Sequence, residues 1–228
     1  MTIISNIQTV KLLIRQAESL SHRPSGSVGL LAVSKQHPPE AIIKAFDAGQ
    51  RDFGENYVQE AMLKINALST LPIHWHFIGR IQRNKAKIIA QNFSWVHTVS
   101  SDALAESLNA ARPQNMPALN VCIQLNIDNE DSKAGVSPEE AISLAAHILT
   151  LPRLTLRGLM AIPKPEDDVE KQVASFLRIS QSMQQINQKL NSSMDTLSMG
   201  MSHDFEAAIR AGSTLVRIGT AVFGDRSC

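Results

Sequence analysis

The feature that most constrains this chain is its alternation. After one leading helix, segments that read as buried strands and segments with helical spacing follow one another eight times. In the leading segment Ile3, Ile7, Val10, Ile14 and Ala17 recur at helical spacing. "VGLLAVSK" (28–35) then reads as a buried strand, and "PPEAIIKAFDAG" (38–49) as a helix with prolines at its start and Gly49 past its end. "RDFGEN" (51–56) is a short strand; the helix after it carries Val58, Ala61, Met62, Ile65 and Leu68 on one face. "IHWHFIGR" (73–80) precedes a basic helix through Asn84 to Ala90, and "WVHTVS" (95–100) precedes a helix over 102–111. "ALNVCIQLN" (118–126) is the clearest buried strand; Ser137, Pro138 and Glu140 then form a capping-box start to a helix over 137–149. "TLRGLMAI" (155–162), a long helix over 166–190, "TLSMGMS" (196–202), a helix over 203–212 ended by Gly212, and "TLVRIGT" (214–220) complete the series.

Strict alternation implies a parallel sheet. Eight units in 228 residues match a compact (β/α)8 barrel, a fold of about 250 residues. A doubly wound open sheet is the rival, but it usually has fewer strands. No linker, low-complexity tract or repeat interrupts the pattern, so residues 1–228 read as one domain. The net charge of +1 implies no broad attraction to nucleic acid or a membrane. Cys122 and Cys228 suggest no disulfide framework, so a reducing cytoplasm is expected. No run of eighteen apolar residues is present, and the leading helix has the pattern of neither a signal peptide nor a membrane span.

In such a barrel the active face lies at the C-terminal ends of the strands. Those ends carry Lys35, Asn56, Gly79-Arg80, Asn126, the loop after Ile162, Met199 to Ser202, and Arg217 to Thr220. A lysine partly buried at a strand tip has its amine destabilised as a cation, and a neutral amine can attack an aldehyde. For an arbitrary lysine, escape to solvent is the commoner outcome, and Lys85, Lys133 and Lys164 are read that way. Gly200, Ser202 and Asp204 resemble an ordinary helix N-cap, yet a helix start also attracts phosphate. With Gly219 and Thr220 after the eighth strand, they stand where barrels often bind phosphate. Arg217 lies between Val216 and Ile218, so period two turns it to the barrel interior, where it needs a partner such as Glu55.

The motifs "AVSK", "FGENYVQE", "WHFIGRIQRNK", "GLMAI", "LSMGMSHDFEAAI" and "VRIGTAVFG" closely resemble the pyridoxal phosphate homeostasis proteins, from about residue 5 to residue 226 in order and spacing. The resemblance implies a single (β/α)8 TIM barrel of the alanine racemase N-terminal type with an extra N-terminal helix. It implies pyridoxal 5′-phosphate as cofactor, with Lys35 forming the Schiff base. It assigns Ser202, Gly219 and Thr220 to the phosphate, Arg217 to the pyridine nitrogen and Asn56 to the pocket lining. It further implies buffering of the cofactor or its delivery to apo-enzymes, without robust turnover. Two-base racemisation needs a second proton-transfer group across the substrate. In alanine racemases a tyrosine from a second domain serves; here the sequence runs only a few residues past the eighth strand, which leans towards a monomer. Tyr57 is the only tyrosine; His76, Cys122 and His203 are other titratable candidates. A weak racemase and a cofactor-free Schiff-base aldolase are the competing readings. The basic helix with Arg80, Arg83, Lys85 and Lys87 is expected to be a solvated surface, with docking the alternative.

Overall fold

A computed structural model describes residues 2–128 and 134–224. Eight parallel strands close a barrel in sequence order: β1 (Gly29–Val33), β2 (Asp52–Glu55), β3 (His74–Phe77), β4 (Trp95–Val99), β5 (Leu119–Leu125), β6 (Leu154–Ala161), β7 (Thr196–Ser198) and β8 (Leu215–Ile218). Pairing of β1 with β8 closes the sheet and sets Leu31 beside Arg217. The open sheet is therefore excluded. Helices fill the outer layer: α1 (Ile3–Leu20), α2 (Pro39–Asp47), α3 (Val58–Ala67), α4 (Ala86–Asn92), α5 (Asp102–Ala111), α6 (Pro138–Ile148), α7 (Val169–Leu190), α8 (Phe205–Arg210) and α9 (Thr220–Phe223).

Period two sorts each strand into two faces. Leu30, Ala32, Phe53, Trp75, Phe77, Val96, Val121, Leu197, Val216 and Ile218 join the core between sheet and helices. Buried alternates such as Leu31, Cys122 and Arg217 stay outside that cluster and belong to the interior. Gly54 leaves room there: a Cβ would stand 3.3 Å from Leu31 Cδ2 and 3.2 Å from Ile78 Cδ1.

The leading helix forms as its spacing predicts, with Ile7, Val10, Ile14 and Ala17 buried. It packs on α2, α8 and α9, and Asn6 Nδ2 donates to the Val222 carbonyl at 3.0 Å. The capping box also forms, Glu140 N–H donating to Ser137 Oγ. Differences fall at segment ends. The helix expected from 166 starts at Val169, because Asp168 Oδ1 accepts from Glu170 and Lys171 N–H. The seventh strand stops at Ser198 rather than 202, since Gly200 has φ +94°. A turn follows, so α8 starts at Phe205 rather than 203. The basic segment opens with a 3-10 turn, Arg83–Lys85, before α4. Thr220, expected at the end of the last strand, instead begins α9.

Candidate functional site

Lys35 sits in the turn directly after β1. Its neighbours are fixed by charges from β2 and α3. Ser34 Oγ donates to Glu55 Oε1 at 2.6 Å, and the Ser34 carbonyl accepts from Lys64 Nζ at 2.7 Å. Gln36, at φ +64°, donates its N–H to Glu60 Oε1 at 2.5 Å. Lys64 Nζ ties the group together, 2.7 Å from Glu55 Oε1 and 2.6 Å from Glu60 Oε1. Burial pushes the Glu55 carboxyl above its usual value, with Lys64 and Ser34 opposing.

Glu55 therefore does not pair with Arg217. Two residues on from Phe53, it shares that residue's face, so it points to the helix layer and meets Lys64 of α3. Arg217 does point into the interior, and its partners are carbonyls and a hydroxyl. Nη1 donates to the Ser198 carbonyl and, at 3.0 Å, to Ser198 Oγ; Nη2 donates to the Ala161 carbonyl at 3.0 Å. Burial pushes its pKa down to about 10, which leaves it charged at neutral pH.

All six sequence-predicted residues meet. Lys35, Asn56, Ser202, Arg217, Gly219 and Thr220 line one cavity at the C-terminal mouth, with His37, Met160 and His203 among its other walls. Its volume of about 260 Å³ is near the lower end for small-molecule sites, roughly 300 Å³ and upward. Gly79 lets the turn after β2 come close: a Cβ there would stand 2.0 Å from the Asn56 carbonyl oxygen. Asn56 Oδ1 is buried and has no hydrogen-bond partner among the described residues.

The expectation that Ser202 caps a helix is corrected. The N-cap of α8 is Asp204, whose Oδ1 accepts from Met201 N–H at 2.6 Å within the intervening turn. With six residues, α8 offers little dipole to an anion. Ser202 instead lines the cavity. Thr220 and Ala221 open α9, so their N–H groups have no acceptor within that helix.

The other titratable candidates fall elsewhere, His203 excepted. Tyr57, 55% exposed, lines a neighbouring hollow with Arg80 and Lys85. Burial pushes the Cys122 thiol up to about 12, so it stays protonated. His76 lies in the interior. Arg83 and Lys87 are exposed, as expected of a solvated face, and Lys164 is exposed. Lys133 and Cys228 lie outside the described residues.

Sequence reasoning missed the interior polar chain and the Lys64 cluster. His76 Nε2 lies 3.2 Å from Asp52 Oδ1, His76 Nδ1 lies 2.9 Å from His97 Nε2, and His97 Nδ1 lies 2.8 Å from Ser198 Oγ. Alternation within "HWHF" and "WVHTV" gives the inward direction of both histidines. The i, i+4 pair Glu60–Lys64, with Lys64 among apolar positions of α3, was the available signal for the cluster.

The sequence model of the alanine racemase N-terminal domain matches residues 10–227. A pyridoxal phosphate homeostasis protein of Pseudomonas aeruginosa is 50% identical over 225 residues, covering 99% of this chain and 96% of that protein. The chain belongs to the pyridoxal phosphate homeostasis proteins, within the alanine racemase N-terminal domain family. The pyridoxal phosphate homeostasis protein of Escherichia coli K12 is 47% identical over 227 residues, 98% of this chain and 97% of that one. Among solved structures, PipY of Synechococcus elongatus with pyridoxal phosphate bound superposes with a TM-score of 0.82 at 36% identity, over 92% of this chain and all of that one. Alanine racemase from Corynebacterium glutamicum, at 17% identity and TM-score 0.70, shares the barrel fold; the match spans 99% of this chain and 61% of that chain. Membership in the pyridoxal phosphate homeostasis proteins thus rests on full-length identity, and the racemase likeness on the barrel alone.

Proposed function

We propose that this chain holds pyridoxal 5′-phosphate at the C-terminal mouth of its barrel and serves cofactor homeostasis by buffering or delivering it, without robust turnover of its own. The observation that carries this reading is the convergence of Lys35, Asn56, Ser202, Arg217, Gly219 and Thr220 on one cavity. The bound state of PipY and the name shared by the full-length relatives support it.

The residues fit such a group by their chemistry. An amine, a fixed guanidinium and an orphan amide line one small cavity, which suits a compact anionic aldehyde with a polar ring. When bound, the cofactor supplies an aldehyde open to reversible capture by an amine, and a ring that can withdraw electrons. Lys35 contributes the amine. Ser202 and Thr220 contribute hydroxyls to the phosphate, and Gly219 leaves its close approach unobstructed by a side chain. Arg217 donates to the ring nitrogen. Because arginine has no acceptor and keeps its charge, it favours an unprotonated ring nitrogen. That setting suits holding and exchange more than carbanion chemistry.

The reading extends to residues 1–228 acting as one domain, a monomer in the cytoplasm, passing cofactor to apo-enzymes. Purified protein should be yellow, with an absorption band that borohydride abolishes. Protein that stays colourless after cofactor is added would overturn the reading. Loss of the α-hydrogen signal of L-alanine in deuterated water should be negligible; exchange at enzyme-like rates would overturn the carrier role and favour a racemase.

A further inference from the structure

The barrel interior holds an unbroken polar chain from one mouth to the other. Asp52, at the start of β2, is 39% exposed in its side chain and lines a hollow at the N-terminal mouth with Lys11, Arg15 and Arg51. From it the chain runs through His76 of β3, His97 of β4 and Ser198 of β7 to Arg217 of β8. His76, His97 and Ser198 are all buried, and His76 is also stacked on Trp95 at an interplanar angle of 7°.

The two ends settle which way every proton points. A carboxylate can only accept, and a guanidinium can only donate. Burial keeps both histidines neutral, lowering the proton affinity of His97 most. His76 must therefore donate from Nε2 to Asp52, leaving Nδ1 as acceptor. His97 then donates from Nε2 to His76, leaving its own Nδ1 to accept from the Ser198 hydroxyl. The Ser198 oxygen is left to accept from Arg217. No other arrangement of neutral groups satisfies all four contacts. Each bond polarises the next in the same sense. At the far end three guanidinium N–H groups are spent on Ser198 and Ala161, which leaves two of the five for the cavity that Arg217 lines.

We propose that Asp52, at the mouth opposite the cavity, is a positioning residue for Arg217. Through His76, His97 and Ser198 it sets the hydrogen-bond polarity of the interior, and so holds the guanidinium towards a bound cofactor ring. The cofactor part of this inference rests on the function proposed above; the polarity part does not.

Long-range nitrogen–proton NMR on cofactor-free, full-length protein reads the histidine tautomers directly. Both His76 and His97 should carry their proton on Nε2. Asp52→Ala removes the terminal acceptor and should shift both histidines to mixed tautomers. Asp52→Asn keeps an acceptor oxygen and should restore the wild-type pattern, a rescue that a merely structural role would not give. Titration with pyridoxal phosphate, followed by absorbance, should show affinity weakened roughly three- to ten-fold in Asp52→Ala, the scale of one impaired hydrogen bond, and little changed in Asp52→Asn. Wild-type histidines protonated on Nδ1, or tautomers unmoved by Asp52→Ala, would overturn the relay. Tautomers that move while affinity and spectrum stay constant would overturn its link to the cofactor. Wild-type protein that binds no cofactor would sink the proposed function alone, with the tautomer result still deciding the relay.

Discussion

Ser34 and Gln36, on either side of Lys35, are tied to charged groups of β2 and α3. The backbone that carries Lys35 is thus held from outside the cavity, by a buried cluster centred on Lys64. Replacing Lys64 by Met strands the buried Glu55 carboxylate, and removing one partner of a buried pair costs about 3–5 kcal/mol. Chemical denaturation of Lys64→Met should show a loss of that size; a change below ~1 kcal/mol would contradict the assignment. Ser202→Ala should weaken cofactor affinity by roughly 1.5–3 kcal/mol, the worth of a hydrogen bond to a charged group, as read by absorbance titration. At this scale the strand-tip residues were legible, because period two and strand ends fix direction and mouth. Partners were not. His97 and Ser198 are 101 positions apart, and nothing local in either segment says that closure brings them together. Glu55 stood as one candidate partner for Arg217 because sequence gives a charge without its partner.

Elements were legible where apolar spacing is long, as in α1 and α7, and less so where one backbone conformation decides. β7 ends early because Gly200 turns the chain at φ +94°, and a Cβ there would stand 2.6 Å from Ala208 Cβ. The Gly200 carbonyl accepts from Arg217 N–H at 3.0 Å, so this turn also holds the backbone that carries the guanidinium. Gly200→Ala should lower stability by roughly 1–3 kcal/mol through strain and overpacking, and should weaken cofactor binding as well. Denaturation and absorbance titration check the two effects; a fully stable Gly200→Ala protein would contradict the tight fit. The α9 turn escaped notice since four residues carry too little periodicity to register.

At the scale of the molecule, the sheet closes around a polar interior, and that has a consequence for acid stability. His76 and His97 are kept neutral by burial, their pKa values depressed below 6.5. As pH falls through 6.5 the unfolded chain binds protons that the folded barrel does not. Stability is therefore fully present above 6.5 and falls below it, by at most about 2.7 kcal/mol per pH unit for two such groups. Denaturant midpoints between pH 7.5 and 5.5 should decline accordingly, and a flat profile would contradict neutral interior histidines. The fold class was readable from eight alternating units, since only closure gives a sheet of that length two covered faces and no edge. The proposed capture of the cofactor turns on one amine at the open mouth, that of Lys35. Reducing the cofactor-loaded protein with borohydride and mapping the modified peptide by mass spectrometry tests it most directly. The label should sit on Lys35 and the absorption band should vanish in Lys35→Ala; a label on another lysine of the wild-type protein would contradict it.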